Sequence, residues 1–158
     1  MIATNELNLT PDDYDKAFTE VSFLIEMLVE TIETFVGKST PSLAVAAGRK
    51  MGQNMPVHML QSTPEEALAE FVRVFRIQQM EVDGTFAGKE AVITINHCPI
   101  RSVCMNRGMA LDSQICQMFH YYIAGILAEL AGCPARPKTV STGEQCTFNM
   151  MFSMVRRI

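Results

Sequence analysis

Cysteine and histidine side chains are the groups in this chain best suited to hold a metal ion or attack a substrate. The 158 residues include five cysteines and three histidines. Cys116 and His120 are spaced so that on a helix their side chains share one face and both reach one metal ion. Zinc needs about four ligands, and the remaining candidates are His97, Cys98, Cys104 and Cys146. Because the sequence has no C-x-x-C or H-x-x-x-H pair, the pattern favours a buried cysteine and a hydrogen-bonded core histidine over a metal site.

A cysteine nucleophile is a second possible use of the same residues. A thiol attacks as the thiolate and needs a nearby base, which Cys116 has in His120 and Cys98 has in His97. Neighbouring residues on a strand point to opposite faces, so the His97–Cys98 pair is the poorer one. A serine nucleophile elbow, a P-loop and a dinucleotide-binding glycine motif are all missing from the sequence, which argues against the commonest cofactor enzymes. Non-catalytic thiols are therefore favoured.

Aromatic residues form a third group, suited to binding a flat or hydrophobic molecule. They are Phe119, Tyr121, Tyr122, Phe148 and Phe152. An aromatic stripe at helical spacing is more often ordinary core, and both interpretations stay open. Gly125 slightly favours a pocket, because glycine inside a helix costs about 1 kcal/mol relative to alanine and usually allows another backbone or a ligand to approach closely.

The elements that must position these residues follow from capping signals and hydrophobic periodicity. Thr10, Thr40 and Thr63 each precede a proline, as residues at a helix N-cap do. They predict one helix over 11–36, a short second helix from Pro41 and a third from Pro64. Residues 77–97 alternate as a hairpin, with turn residues at Asp83–Gly84 and Gly88, and a long helix covers roughly 109–131. Two final strands, 138–142 and 146–157, are joined around Gly143–Glu144.

These elements predict an α+β fold with an antiparallel sheet of about four strands packed against four helices. We expect a single domain over 1–158, made of an N-terminal helical part, 1–37, and a core, 40–155.

Composition narrows the classes of function. The chain is 48% hydrophobic and 19% charged, which is typical of a folded domain. The net charge is −4 and the only compact basic cluster is Arg156–Arg157, so no nucleic-acid partner is expected. No secretory signal and no apolar run of about 18 residues is present, so we expect a cytoplasmic protein without a membrane span. Reduced thiols are then the default.

The C-terminal half resembles a known family. Three stretches, "VITINHCPIRS", "ICQMFHYYIAGILAELAG" and "TVSTGEQCTFNMMF", are similar in order and spacing to the 4-vinyl reductase domain, whose fold is related to subunits of vesicle-tethering transport-protein particles. The similarity covers about residues 40–155, including the early helix motif "AAGRKMG". The positions that carry it are Cys98–Pro99, Cys116, His120, Ala124–Gly125, Gly143, Cys146 and Phe148.

The resemblance implies a ligand-binding rather than a catalytic domain, since members are sensors of aromatic hydrocarbons or accessory proteins of bacteriochlorophyll synthesis. Some sensors hold structural zinc through a helix cysteine and a Glu-x-x-Cys-x7-Cys hairpin. Cys116 and Cys146 match two of those ligands, whereas Ala135 and Lys138 stand at the other two positions, so zinc is a possible cofactor only if Cys133 or His120 substitutes.

We therefore predict a homodimeric domain that binds a hydrophobic or aromatic small molecule between sheet and helices. The predicted ligand contacts are Phe119, His120, Tyr121, Tyr122, Phe148 and Met150. An enzyme alternative remains, because small hydrolases of the L-2-amino-thiazoline-4-carboxylate type have a similar Gly-x-x-Cys-aromatic hairpin, here starting at Gly143. A third class is an assembly subunit with a large apolar dimer face and no cavity.

Overall fold

The computed structural model describes residues 8–154, and the Arg156–Arg157 cluster lies outside them. Five α-helices, α1 to α5, and four strands, β1 to β4, follow one another along the chain. The helices are α1 Pro11–Val36, α2 Thr40–Asn54, α3 Pro64–Ile77, α4 Pro99–Arg107 and α5 Gln114–Ala131, with a 3-10 turn, Gly37–Ser39, between the first two. The strands are β1 Glu81–Ala87, β2 Glu90–Asn96, β3 Ala135–Ser141 and β4 Gln145–Phe152. No helix among residues 8–154 is long and apolar enough to cross a membrane.

The predicted fold class is confirmed. All four strands form one antiparallel sheet in the order β1-β2-β4-β3. The side chains of each strand alternate between the two faces of the sheet, and those on one face are buried against helices. The opposite face is more polar, and its side chains bond across strands, as between Thr94 and Thr147 (3.4 Å) and between Asn149 and Glu90 (3.0 Å).

Two of the three predicted N-caps are confirmed. Thr10 forms a capping box with Asp13, and the Thr63 hydroxyl accepts a hydrogen bond from the Glu66 N–H. Thr40 instead lies inside α2, where its hydroxyl donates to the Gly37 carbonyl (2.7 Å), because the 3-10 turn runs straight into that helix. The Thr40–Pro41 signal therefore marks the start of a helix, although Thr40 is not its N-cap.

The predicted hairpin turn at Asp83–Gly84 is wrong. Both residues lie inside β1, where Asp83 pairs with Thr94 and Gly84 with Ile93, and the turn is formed by Gly88 and Lys89. Gly84 instead makes room for the Leu68 side chain of α3. A Cβ on it would lie 2.8 Å from a methyl carbon of Leu68, so its absence lets α3 rest directly on the strand.

A short helix that the sequence did not predict precedes the long one. Pro99 stands in the first turn of α4, and Gly108, in the left-handed conformation at φ 66°, ends it. The loop over 108–113 follows, so α5 begins at Gln114 instead of near 109. The nine residues of α4 bury only Val103 and Cys104, which left too weak a periodic signal to recognise.

Helices α2 and α5 pack with their backbones in contact. A Cβ on Gly125 would overlap the Val45 carbonyl oxygen and lie 2.9 Å from its carbonyl carbon. A Cβ on Gly48 would likewise overlap the Tyr122 carbonyl oxygen. Glycine is therefore required at both positions by another backbone, which decides between the two explanations that the sequence left open for Gly125.

Helix α1 lies over the end of the molecule that carries α4. Ile25 and Val29 pack on a small buried cluster of Val103, Cys104, Ile115 and Cys116. Next to them, Arg107 donates to Glu26 (2.5 Å) and stacks over Phe23, with its guanidinium carbon 4.6 Å from the ring centroid. Ser22 is the one α1 residue fully buried within this structure of residues 8–154.

Candidate functional site

A small cavity lies where the N-terminal ends of α4 and α5 meet the β3–β4 turn. Its volume is about 20 Å³, room for about one water molecule, and its surface is almost entirely apolar. The lining residues are Cys98, Ile100, Arg101, Leu111, Cys116, Phe119, His120, Thr142, Gly143 and Cys146. Several segments far apart in sequence contribute, as is usual for a ligand site.

Each side chain reaches the cavity for a local structural reason. Cys116, Phe119 and His120 stand at i, i+3 and i+4 on α5, so they share one helix face. Cys98 occupies the sharp junction between β2 and α4, followed by Ile100 and Arg101 in the first turn of α4. Leu111 belongs to the 108–113 loop, while Thr142 and Gly143 belong to the β3–β4 turn. The walls therefore combine a rigid helix face with two loops.

His120 is the central polar group of this region. Its Nε2 lies 3.3 Å from the Cys146 sulfur and its Nδ1 lies 3.1 Å from the Thr139 hydroxyl. Its ring stacks on Phe148, with centroids 4.3 Å apart. Burial lowers the pKa of His120 to about 4, although the charge of Asp112 acts in the opposite direction. The imidazole is therefore neutral near pH 7, with one nitrogen donating and one accepting.

Burial keeps two of the cavity thiols, and the thiol of the nearby Cys104, protonated. Burial raises the pKa of Cys98, and it raises the pKa of Cys104 and of Cys146 to about 11. The neutral His120 ring forms one hydrogen bond with the Cys146 thiol and one with the Thr139 hydroxyl. A cysteine nucleophile needs thiolate character and a basic imidazole. Because His120 is a weak base and the thiols of Cys98 and Cys146 stay protonated, the hydrolase alternative gains no support.

Metal binding also lacks support from the arrangement of side chains. Cys116 and Cys146 both line the cavity, and the Cys116 sulfur lies 3.7 Å from that of Cys104. Across residues 8–154, however, no group of three or more cysteine, histidine or carboxylate side chains is arranged to hold a metal ion. A structural zinc ion needs about four ligands, so zinc remains only a prediction from the family resemblance.

The predicted ligand contacts occupy different places. Phe119 and His120 line the cavity. Phe148 and Met150 are fully buried core residues, and Phe148 supports the His120 ring from behind. Tyr122 lies beside Phe119, with ring centroids 6.3 Å apart, and its backbone meets α2.

Tyr121 faces a separate polar cleft of about 240 Å³ on the other side of His120, together with Asp112, Gln117, Pro137 and Thr139. His120 is thus the wall between an apolar cavity and a polar cleft.

Four cavity residues escaped the sequence analysis: Ile100, Arg101, Leu111 and Thr142. The first two were missed together with α4, and the others lie in loops whose conformations carry no periodic signal. One clue was available. Pro99 after Cys98 and Gly108 nine residues later are start and stop signals for a helix, although a short one.

Comparison with known proteins identifies the fold but no family. No family model matches the chain, and no curated protein matches it either. Among solved structures the chain is similar to the crystal structure of the phenol-responsive sensory domain of the transcription activator PoxR with phenol. The TM-score is 0.58 at 10% sequence identity, over 83% of this chain and 74% of that domain. The chain therefore shares its fold with that domain. Membership of the 4-vinyl reductase family is not shown.

Proposed function

We propose that this chain is a cytoplasmic, homodimeric sensor or accessory domain of the 4-vinyl reductase type, which binds a small hydrophobic or aromatic molecule at the cavity beside Cys116 and His120. The observation that carries the proposal is the cavity itself: an apolar space lined by Phe119, Leu111 and Ile100 among others, with a neutral histidine in its wall. Apolar burial of a ligand supplies about 25 cal/mol per Å² before the cost of association is subtracted.

The similarity of the fold to that of a known sensory domain supports the same function. The similar PoxR domain is phenol-responsive, and its structure contains phenol. A neutral His120 has a donor and an acceptor, and a ligand hydroxyl in the cavity that displaced Cys146 would bond to Nε2. The expected ligand therefore has an apolar body and a polar group at one end.

Binding requires the cavity to enlarge. A cavity that holds benzene in another protein measures about 150 Å³, against about 20 Å³ here. The helix face of Cys116, Phe119 and His120 is held by packing, whereas Leu111 and the Thr142–Gly143 turn lie in loops. We expect the two loops to move outward on binding, which is a change of shape that a sensor can transmit.

A thermal-shift panel tests the proposal. Phenols and other small aromatic molecules at about ten times their dissociation constant should raise Tm by roughly 3–6 °C for a chain of this size. Leu111→Phe fills the cavity and should abolish the shift. Met105→Phe enlarges a methionine that is 60% exposed on α4 and should leave the shift intact. A panel without any shift, together with a solid core in a crystal structure, would remove the basis of the proposal.

The surface of α1 supports the homodimer. Tyr14, Val21, Leu28 and Phe35 recur every seven residues and remain 63%, 53%, 51% and 85% exposed. Leu24, 57% exposed, lies between them, with Ala17 and Thr31 at the same heptad position. We call these seven residues the α1 stripe. Apolar residues repeated over three heptads are typical of a helix that packs against another helix.

A second copy of the chain fits the α1 stripe in an antiparallel arrangement. Asp12 and Asp13 in the first turn of α1 would then approach the far end of the other copy's helix, where Lys38 follows. The stripe offers on the order of 600 Å² per subunit, near the ~800 Å² that each partner buries in a standard interface. Leu24 would meet its own counterpart at the centre of the contact.

A further inference from the structure

Arg101 is the unexplained charged group of the candidate site. It stands in the first turn of α4 and contributes to the wall of the cavity. Its Nε–H is buried and has no hydrogen-bond partner within residues 8–154. Buried polar groups in folded proteins are nearly always paired, and leaving a charged donor unpaired is costly.

No acidic side chain among residues 8–154 forms an ion pair with this arginine. The ion pairs among residues 8–154 involve other arginines and a lysine, and Arg101 is in none of them. Two of the thiols that share its cavity, those of Cys98 and Cys146, stay protonated because burial raises their pKa. Asp112 faces the polar cleft beyond His120 instead of the cavity. Within the described part of the chain, the site therefore combines apolar walls with one positive charge that has no ion-pair partner.

We propose that the ligand is an amphipathic anion, an aromatic or aliphatic carboxylate whose acid group pairs with Arg101 and whose apolar body fills the enlarged cavity beside Phe119 and Leu111. The inference rests on the proposed function and specifies the ligand class for the same cavity. A guanidinium group bonds a carboxylate with two parallel N–H donors, and Nε is one of the donors suited to this geometry.

The partial exposure of Arg101 favours an anion at this position. Arg101 as a whole is only partly buried, although its Nε atom is fully buried. A carboxylate at the mouth would keep some of its water while it gained the charged hydrogen bond, so the desolvation cost that opposes fully buried ion pairs is reduced. The apolar end of the molecule would be inside, away from the charge.

Two matched pairs of probes test the inference: benzoate against benzamide, and hexanoate against hexanamide, by calorimetry near pH 7.5. Each pair has the same shape and differs in charge. We expect the wild-type protein to bind each carboxylate about tenfold or more tightly than its amide. Arg101→Met keeps the apolar stem and should remove that preference while amide binding persists. Arg136→Met, at an exposed position on β3, removes the same charge and should change nothing.

The outcomes separate this inference from the proposed function. If the amides or phenol bind as tightly as the carboxylates or more tightly, the proposal of a carboxylate ligand is overturned, while the proposed binding of a hydrophobic ligand stands. Carboxylate binding that Arg101→Met leaves unchanged also overturns it, because the acid group then lies elsewhere. If no probe of either kind binds, both proposals fail. Should Arg101→Met not fold, the preference of the wild-type protein within each pair still decides the question.

Discussion

Replacing Gly125 by alanine tests the close contact between α2 and α5. The new Cβ would overlap the Val45 carbonyl oxygen and lie 2.9 Å from its carbonyl carbon and 3.0 Å from the Arg49 nitrogen. Carbon atoms in contact need about 3.5–4.0 Å, and all three obstacles are backbone atoms. The two helices must therefore separate by roughly 1 Å at this crossing, since no side chain can rotate away.

The expected cost follows from two opposing effects. Overpacking of a tight contact costs up to about 3 kcal/mol, and alanine recovers about 1 kcal/mol of helix propensity over glycine. We expect the free energy of unfolding to fall by about 2 kcal/mol and Tm by roughly 4–8 °C. The assay is urea-induced unfolding followed by circular dichroism, with the slope against urea checked for two-state behaviour.

Gly52 provides the matched control on α2. A Cβ there would lie 3.0 Å from the Glu129 Cβ and 3.1 Å from the Ile126 carbonyl oxygen, a milder contact. Gly52→Ala should therefore cost less than Gly125→Ala by at least about 1 kcal/mol. Gly48→Ala should match Gly125→Ala, and the double variant should cost less than the sum, because helices already separated accommodate the second methyl group. A Gly125→Ala protein as stable as the wild type would refute this account of the packing.

Two further predictions concern His120 and the α1 stripe. Burial lowers the pKa of His120 from its usual 6.5 to about 4 in the folded protein, so the unfolded chain binds the proton first on acidification. The stability that the neutral residue contributes is therefore complete above about pH 6.5. It should fall by about 3 kcal/mol towards pH 4. Chemical unfolding should show that loss in the wild type and much less of it in His120→Gln, and equal pH dependence of the two would contradict the burial argument. Leu28→Glu should convert a dimer to a monomer in sedimentation experiments. Ile77→Glu, at a residue 68% exposed on α3, should leave the dimer intact. A wild-type protein that is monomeric at high concentration would exclude the dimer.

Local signals in the sequence were sufficient for most of the fold. The capping residues Thr10 and Thr63 and the alternation over 90–96 are short-range features, and the elements that they predicted are present. The hairpin turn was misplaced because glycine has two uses. Gly88 turns the chain, whereas Gly84 makes room for Leu68, and only the tertiary contact distinguishes them.

The candidate site was predictable only where it follows helix geometry. The spacing of Cys116 and His120 placed them on one face of α5, and both line the cavity from that face, where the structure adds Phe119. Arg101 and Leu111 depend on how the connection between β2 and α5 folds, and Thr142 reaches the cavity through a turn brought there by strand pairing. Such contacts between distant segments have no signature in one sequence.

The cluster beneath α1 has a consequence for how the molecule responds to its ligand. Cys116 forms part of the cavity wall on one side and touches the cluster that holds Ile25 and Val29 of α1 on the other. One helix thus carries the proposed subunit contact and rests on the proposed site. If the ligand shifts α1, ligand binding and subunit association become linked equilibria, and each must change the other by the same factor. The apparent affinity for the ligand would then depend on the concentration of the protein itself.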